Sequence, residues 1–221
     1  MHIFCDFDGT ITTVDTTDLV LGRLASPEWE ALEADWRAGR IDAAACMRGQ
    51  VALIGGDDAA LQAVLDEVEI ADGFLAFAAW CDAEGVALTI VSDGVDHFIR
   101  RILARQGLGH LPVISNKLAG AAGARRLEQP HRREGCAAGS GVCKCEATSQ
   151  VLQSNGRDLL VYVGDGRSDF CVSGRADVLF AKDELAVYAA GRARAHHSFT
   201  DFHDVMAVLT PLAAARRIAA Q

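Results

Sequence analysis

Positive charge is scarce in this chain. Its 21 lysines and arginines face 30 aspartates and glutamates, leaving a formal net charge of −9 and a sequence pI near 5.2. A general nucleic-acid binder or membrane-surface protein needs a basic face to neutralise phosphates, so neither partner is expected. Lysine occurs only at Lys117, Lys144 and Lys182. Long apolar runs are also missing: none approaches the roughly 20 residues of a membrane span, and the N-terminus lacks the basic-then-apolar order of a secretory signal. The expectation is a cytoplasmic protein. Nor is there the even cysteine count of a disulfide framework. The seven cysteines include Cys5, Cys46 and Cys81 inside apolar patterns, where they read as small buried hydrophobes in a reducing compartment.

What the chain does have is 221 residues, half of them hydrophobic, enough for one ample core carrying a smaller insert. It begins His2-Ile3-Phe4-Cys5-Asp6-Phe7-Asp8-Gly9-Thr10, a buried strand running into two carboxylates two positions apart. Alternation along an extended backbone lets Asp6 and Asp8 address one point beyond the strand end. From Asp15 to Val68 the pattern is helical without a strand. Ser26-Pro27 reads as an N-cap followed by proline at the first helical position, Gly55-Gly56-Asp57 as a turn, and Trp29 and Trp36 as core of this helical unit. The expected division is an α/β core at 1–12 and 73–221 with a helical cap at 13–72.

After Gly73 a helix over 74–84 leads to the apolar strand 86–91, which ends in Ser92-Asp93-Gly94. A short strand at Val113-Ile114 follows. Residues 116–142 are rich in glycine, show no periodicity, and carry Arg125-Arg126 and Arg132-Arg133, which read as solvated loop charges. A helix over about 145–154 stops at Asn155-Gly156. The strand Leu159–Val163 then runs into Gly164-Asp165-Gly166-Arg167-Ser168-Asp169, and after a last strand at 178–180 the remainder reads as helix. Strands alternating with helices predict a doubly wound, mainly parallel sheet, a Rossmann-like core whose ligands bind beyond the carboxyl ends of the strands. Asp6, Asp8, Ser92 and Asp165 then collect on one rim.

Four carboxylates gathered there (Asp6, Asp8, Asp165, Asp169) would repel one another by several kcal/mol. A divalent cation relieves this, and an all-oxygen set suits magnesium better than zinc. The rim also needs an ammonium, and Lys144, just before the helix that leads into the Asp165 strand, is better placed than Lys117 or Lys182.

These residues resemble the four ordered motifs of the haloacid dehalogenase superfamily of phosphatases: Asp6-Phe7-Asp8-Gly9-Thr10-Ile11-Thr12, Ser92 with Gly94, Lys144, and Gly164-Asp165-Gly166-Arg167-Ser168-Asp169. The resemblance covers nearly the whole chain. The helical insert is similar to the cap of the subclass that includes phosphoserine phosphatases. Pro130-His131 to Cys136 to Cys143-Lys144 and the stretch 164–171 are similar to the methionine-salvage and phosphoethanolamine/phosphocholine phosphatases. The resemblance implies a Mg²⁺-dependent phosphatase acting on a small-molecule phosphate ester. Asp6 would be the nucleophile and Asp8 the proton donor and acceptor; Ser92, Gly94 and Lys144 would bind phosphate. Asp6, the Asp8 carbonyl and Asp165 would hold the metal, with Asp169 acting through a water or by orienting its neighbours. A phospho-aspartate receiver also gathers acidic groups, a hydroxyl and a lysine on such a sheet, but it needs neither the cap nor Asp165 and Asp169. His131, Cys136, Cys143 and Cys145 remain open to three readings: unpaired thiols, a zinc site or a disulfide.

Overall fold

β1 (His2–Cys5) is buried at every position and lies mid-sheet in the computed structural model, which describes residues 1–155 and 158–219. The chain then leaves the sheet for α1 (Thr16–Leu24), α2 (Trp29–Arg37), α3 (Ala43–Ala52) and α4 (Asp58–Asp66). Asp15, Asp42 and Asp57 cap three of these helices, accepting the amides of Asp18, Ala45 and Ala60 at 2.9, 2.7 and 2.8 Å. Such a cap contributes about 1 kcal/mol. The expected Ser26 cap of α2 does not form. The Ser26 hydroxyl donates instead to the Glu28 carboxylate, a charged and therefore stronger acceptor, and Glu28 takes the cap position without a side-chain bond.

The chain returns through α5 (Phe74–Glu84), β2 (Ala87–Val95), α6 (Asp96–Arg105), β3 (Val113–Ala119) and β4 (Arg126–Glu128). Next come α7 (Lys144–Asn155), β5 (Leu160–Gly164) and a 3-10 turn at Arg167–Asp169 leading into α8 (Phe170–Ser173). β6 (Val178–Ala181), α9 (Asp183–Gly191), β7 (His197–Ser198) and α10 (Phe202–Ala219) complete the chain. Gly156, half of the expected stop of α7, lies outside the described residues.

The seven strands are ordered β4-β3-β2-β1-β5-β6-β7, and every pair is parallel except β3 with β4. Side-chain alternation sorts β1 between two apolar clusters. Ile3, Cys5 and Phe7 join residues of α5, α6 and α10, whereas Phe4 joins Tyr162 and residues of α7, α8 and α9. Asp6 continues the Phe4 side and emerges toward α7. Val20, Leu21, Leu61 and Leu65 of the helical insert belong to the first cluster, so apolar packing runs from the sheet into the insert. The chain enters and leaves the insert side by side: Thr12 bridges Ile70, and the Ala71 amide donates to Ile11 O at 2.7 Å.

Four further sequence expectations change. The stretch after β6 is not all helix, because residues 197–198 return to pair with β6 as β7, a pairing too short to leave a periodic signal. β2 runs on to Val95 through a register shift between Val91 and Val95, so Ser92 and Gly94 sit in an irregular strand segment rather than beyond its end. β3 is longer than expected because residues 126–128 pair with it as a hairpin, a long-range pairing that leaves little periodic signal. Arg125 is not a solvated charge. Its guanidinium is buried against the carbonyls of Ile54, Gly55 and Gly56 and pairs with Asp58 at 2.9 Å, tying this loop to the helical insert. Arg126 and Arg132 do pair near the surface, with Glu128 and Asp42.

Candidate active site

Three adjacent strands bring the carboxylates together. Asp6 follows β1, Asp165 follows β5, and Ser92 lies in β2 on the other side of β1. Lys144, the first residue of α7, extends beneath them with no exposed surface. Its Nζ lies 2.7 Å from Asp6 Oδ2 and 2.7 Å from Asp169 Oδ1. Asp6 Oδ1 accepts the Phe7 amide at 2.7 Å.

Asp169 is held on both oxygens. Oδ1 takes Lys144 and the Tyr162 hydroxyl at 2.5 Å, while Oδ2 accepts the amides of Asp165 and Gly166, each at 3.1 Å. A carboxylate has about four acceptor sites, and all are used. Asp8 points elsewhere. Its Oδ1 accepts the Thr16 amide at 2.9 Å and the Thr16 hydroxyl, which locks it to the first turn of α1. Asp165 is held by the Thr10 hydroxyl.

Glycine is required at two of these contacts by close approach. A Cβ on Gly94 would lie 2.4 Å from Asp8 Oδ2, and one on Gly9, which also has φ +71, would lie 2.6 Å from Asp165 Oδ2. The Gly94 amide itself donates to Ser92 Oγ at 2.8 Å.

Burial raises the pKa of the Asp6 carboxyl well above its ordinary value; Asp169 adds to the effect and Lys144 opposes it. Lys144 keeps its proton, because Asp169 and Asp6 outweigh the burial that would strip it. Asp8 is also raised by burial, with the Thr16 bonds holding it down in part. Asp165 is raised to about 6 by burial and by Asp169.

Over this rim lies a cavity of about 480 Å³. Asp6, Asp8, Ser92, Gly94 and Asp165 line its floor; Lys144 and Asp169 lie below, out of contact with it. The structure therefore brings together all seven residues singled out from the sequence, in two layers. Its walls include side chains that the sequence reading passed over: Asp15, Thr17, Asp18, Glu33, Met47 and Gln50 from the insert. Trp36 belongs with them rather than in a cap core, since α2 has no buried residue and the Arg167 guanidinium sits 5.6 Å from the Trp36 ring centre. Amphipathic spacing alone does not tell a wall from a core. Thr16, by contrast, was findable as a hydroxyl one residue after an Asp N-cap. Carboxylate oxygens of Asp6, Asp165 and Asp169 lie within 4.8 Å of one another. With Asp169 fully hydrogen-bonded, Asp6 and Asp165 are the hard oxygen donors with acceptor sites left for a divalent cation.

The fold and this rim place the chain in a class: it belongs to the haloacid dehalogenase-like hydrolase family, which it matches over residues 3–173. Among curated relatives, the 2-hydroxy-3-keto-5-methylthiopentenyl-1-phosphate phosphatase of Geobacillus thermodenitrificans is 31% identical, over 92% of this chain and 93% of that protein. The Brevibacillus brevis enzyme of the same name is 30% identical over 94% of each. A solved substrate-bound phosphoserine phosphatase shares the fold at a TM-score of 0.69 and 18% identity, covering 93% of this chain and 96% of that one. No described helix is long and apolar enough to cross a membrane.

Proposed function

We propose that this protein is a Mg²⁺-dependent phosphomonoesterase working through an aspartyl-phosphate, with a small phosphorylated metabolite of the methionine-salvage type as substrate. The observation that carries it is the buried Lys144 ammonium bridging Asp6 and Asp169 at 2.7 Å beneath a cavity into which Asp6 and Asp8 open. Asp6 attacks phosphorus while Lys144 offsets the charge that gathers on its carboxylate and on the phosphoryl group. Asp8, whose raised pKa suits a proton carrier, protonates the leaving oxygen and then takes a proton from the water that cleaves the acyl phosphate, a role worth about 10²–10⁴-fold. Ser92 and the Gly94 backbone hold phosphate oxygens. Asp6, the Asp8 carbonyl and Asp165 would hold magnesium, which when bound neutralises phosphate charge. Asp169, its acceptor sites filled, orients Lys144 and the Asp165–Gly166 backbone. Residues 13–72 form the cap that covers the site and selects the leaving group.

Homologue names support the methionine-salvage substrate. The walls favour a second reading: Asp15, Asp18 and Glu33 form an acidic side with Trp36 near it, which would suit a cationic leaving group, as in phosphoethanolamine or phosphocholine. A panel of phosphorylated metabolites, assayed by phosphate release with Mg²⁺, decides between them. On a generic aryl phosphate, Asp6→Asn should be folded and inactive and EDTA should abolish turnover; undiminished turnover in Asp6→Asn would refute the nucleophile.

A further inference from the structure

Behind the carboxylates, on the far side of Lys144, four cysteines converge. Thiols of Cys136, Cys143 and Cys145 lie within 4.8 Å of one another, with the sulfurs of Cys143 and Cys145 3.4 Å apart. Cys171, in α8, stands beside this group, its thiol donating to the Ser168 carbonyl at 3.9 Å and lying near those of Cys136 and Cys145. All four are free, Cys143 is buried and the others are half-buried. His131 is not part of the group; its carbonyl accepts the Cys143 amide at 3.0 Å, which turns the loop toward α7. We propose that Cys136, Cys143, Cys145 and Cys171 form a structural tetrathiolate site for a thiophilic divalent cation of the zinc class, separate from the carboxylate rim.

Three observations favour this. A tetrahedral zinc with bonds of about 2.3 Å sets its sulfurs about 3.8 Å apart, so the thiols of Cys136, Cys143 and Cys145 need only small rotations to close on an ion, and Cys171 would fill the fourth position from α8. A disulfide would use two sulfurs and leave two stranded beside it, whereas one ion uses all four. The Cys145 backbone amide also favours the Cys171 thiolate, the kind of support that metal-bound thiolates receive. Binding needs no oxidant: each thiol gives its proton to water as its sulfur–metal bond forms.

The location gives the site a task. Cys143 and Cys145 flank Lys144, and Cys171 lies two residues after Asp169. Cys136 belongs to the glycine-rich loop, whose other anchors include the Gly139 carbonyl accepting the Ala44 amide at 2.9 Å. One ion would thus staple that loop to the two segments that carry the buried Lys144–Asp169 bridge.

Cobalt tests this, because thiolate-to-cobalt charge-transfer bands cannot come from carboxylates. Reduced, metal-free protein in excess Mg²⁺ should develop those bands with Co²⁺, saturating at about one equivalent, and zinc should bleach them. Cys171→Ser should weaken cobalt binding by roughly 100-fold. If that variant does not fold, thiol labelling of the native wild-type protein replaces it, and zinc should protect all four thiols. Absence of the bands, labelling unchanged by zinc, or a mass two hydrogens low that maps to a bond between two of these cysteines in protein kept reduced would overturn the proposal.

Discussion

Lys144 separates two clusters of metal-seeking side chains, and they are built differently. On the carboxylate side, oxygens that do not face the cavity are taken by named donors: Phe7 on Asp6, Thr16 on Asp8, Thr10 on Asp165, and four groups on Asp169. On the thiol side the sulfurs of Cys136, Cys143 and Cys145 face one another. The first cluster is prearranged, as a site must be whose charges shift during a reaction. The second is arranged to be completed by something else.

Replacing the residue between them separates the two most sharply. In Lys144→Met the carboxylates of Asp6 and Asp169 lose the cation that each meets at 2.7 Å in full burial. Breaking a buried ion pair from one side costs about 3–5 kcal/mol, and removing one charge-stabilising group costs about 10²–10³-fold or more in rate. Turnover on an aryl phosphate should collapse and the urea midpoint should fall. The cobalt–thiolate bands should survive, because the α7 backbone, not the lysine ammonium, positions Cys143 and Cys145. Their loss along with activity would mean that the clusters stand or fall as one unit.

A smaller probe touches only the cavity floor. In Gly94→Ala the new methyl would stand 2.4 Å from Asp8 Oδ2 and 3.0 Å from Ser92 Oγ. Asp8 is pinned by Thr16 and has little room to yield. A displacement near 1 Å at a reacting group costs about 10²-fold in rate, so kcat should drop by that order with the fold retained. Gly174→Ala, at the end of α8 with nothing within 4 Å, is the control and should leave kcat unchanged. Equal losses in the two variants would show that the carboxylate side is less cramped than its contacts indicate.

The two clusters were also unequally legible in the sequence. Asp6 and Asp165 directly follow strands, Asp8 lies two residues beyond Asp6, Lys144 opens a helix and Asp169 precedes one, and local pattern places such positions on one rim of a parallel sheet without further knowledge; Ser92, inside the irregular end of β2, joins them there. The thiol cluster could not be read this way. Cys171 lies 26 residues beyond Cys145, and it joins the group only because β5 returns the chain past α7, so a local count proposed His131 in its place. The same limit hid β4, whose three residues owe their strand to pairing with β3, and Arg125, whose partners lie about 70 residues earlier in the helical insert. The cavity walls stayed hidden for another reason: along α2, a half-buried tryptophan facing a cavity has the same periodicity as one facing a core.

The smallest expected effect concerns the cation on the carboxylate side. Asp165 is raised to about 6, by burial first and by Asp169 next. The same carboxyl titrates near 3.9 in an unfolded chain, so the metal-free fold binds this proton more tightly than the unfolded state does. On this account its stability falls as pH climbs from about 4 through about 6, and the penalty is fully present above that window. Magnesium can relieve the penalty only where Asp165 is ionised. Saturating Mg²⁺ should therefore raise Tm by a few degrees at about pH 7.5, at roughly 2–4 °C per kcal/mol for a chain of this size, and by much less at about pH 5. Alkylating the accessible thiols beforehand should leave this difference intact, since Mg²⁺ has no affinity for sulfur. An equal Mg²⁺ shift at both pH values would mean that the cation is held without Asp165. A shift abolished by alkylation would mean that the thiol side governs the geometry of the carboxylate side, through the α7 turn that carries Lys144 between Cys143 and Cys145.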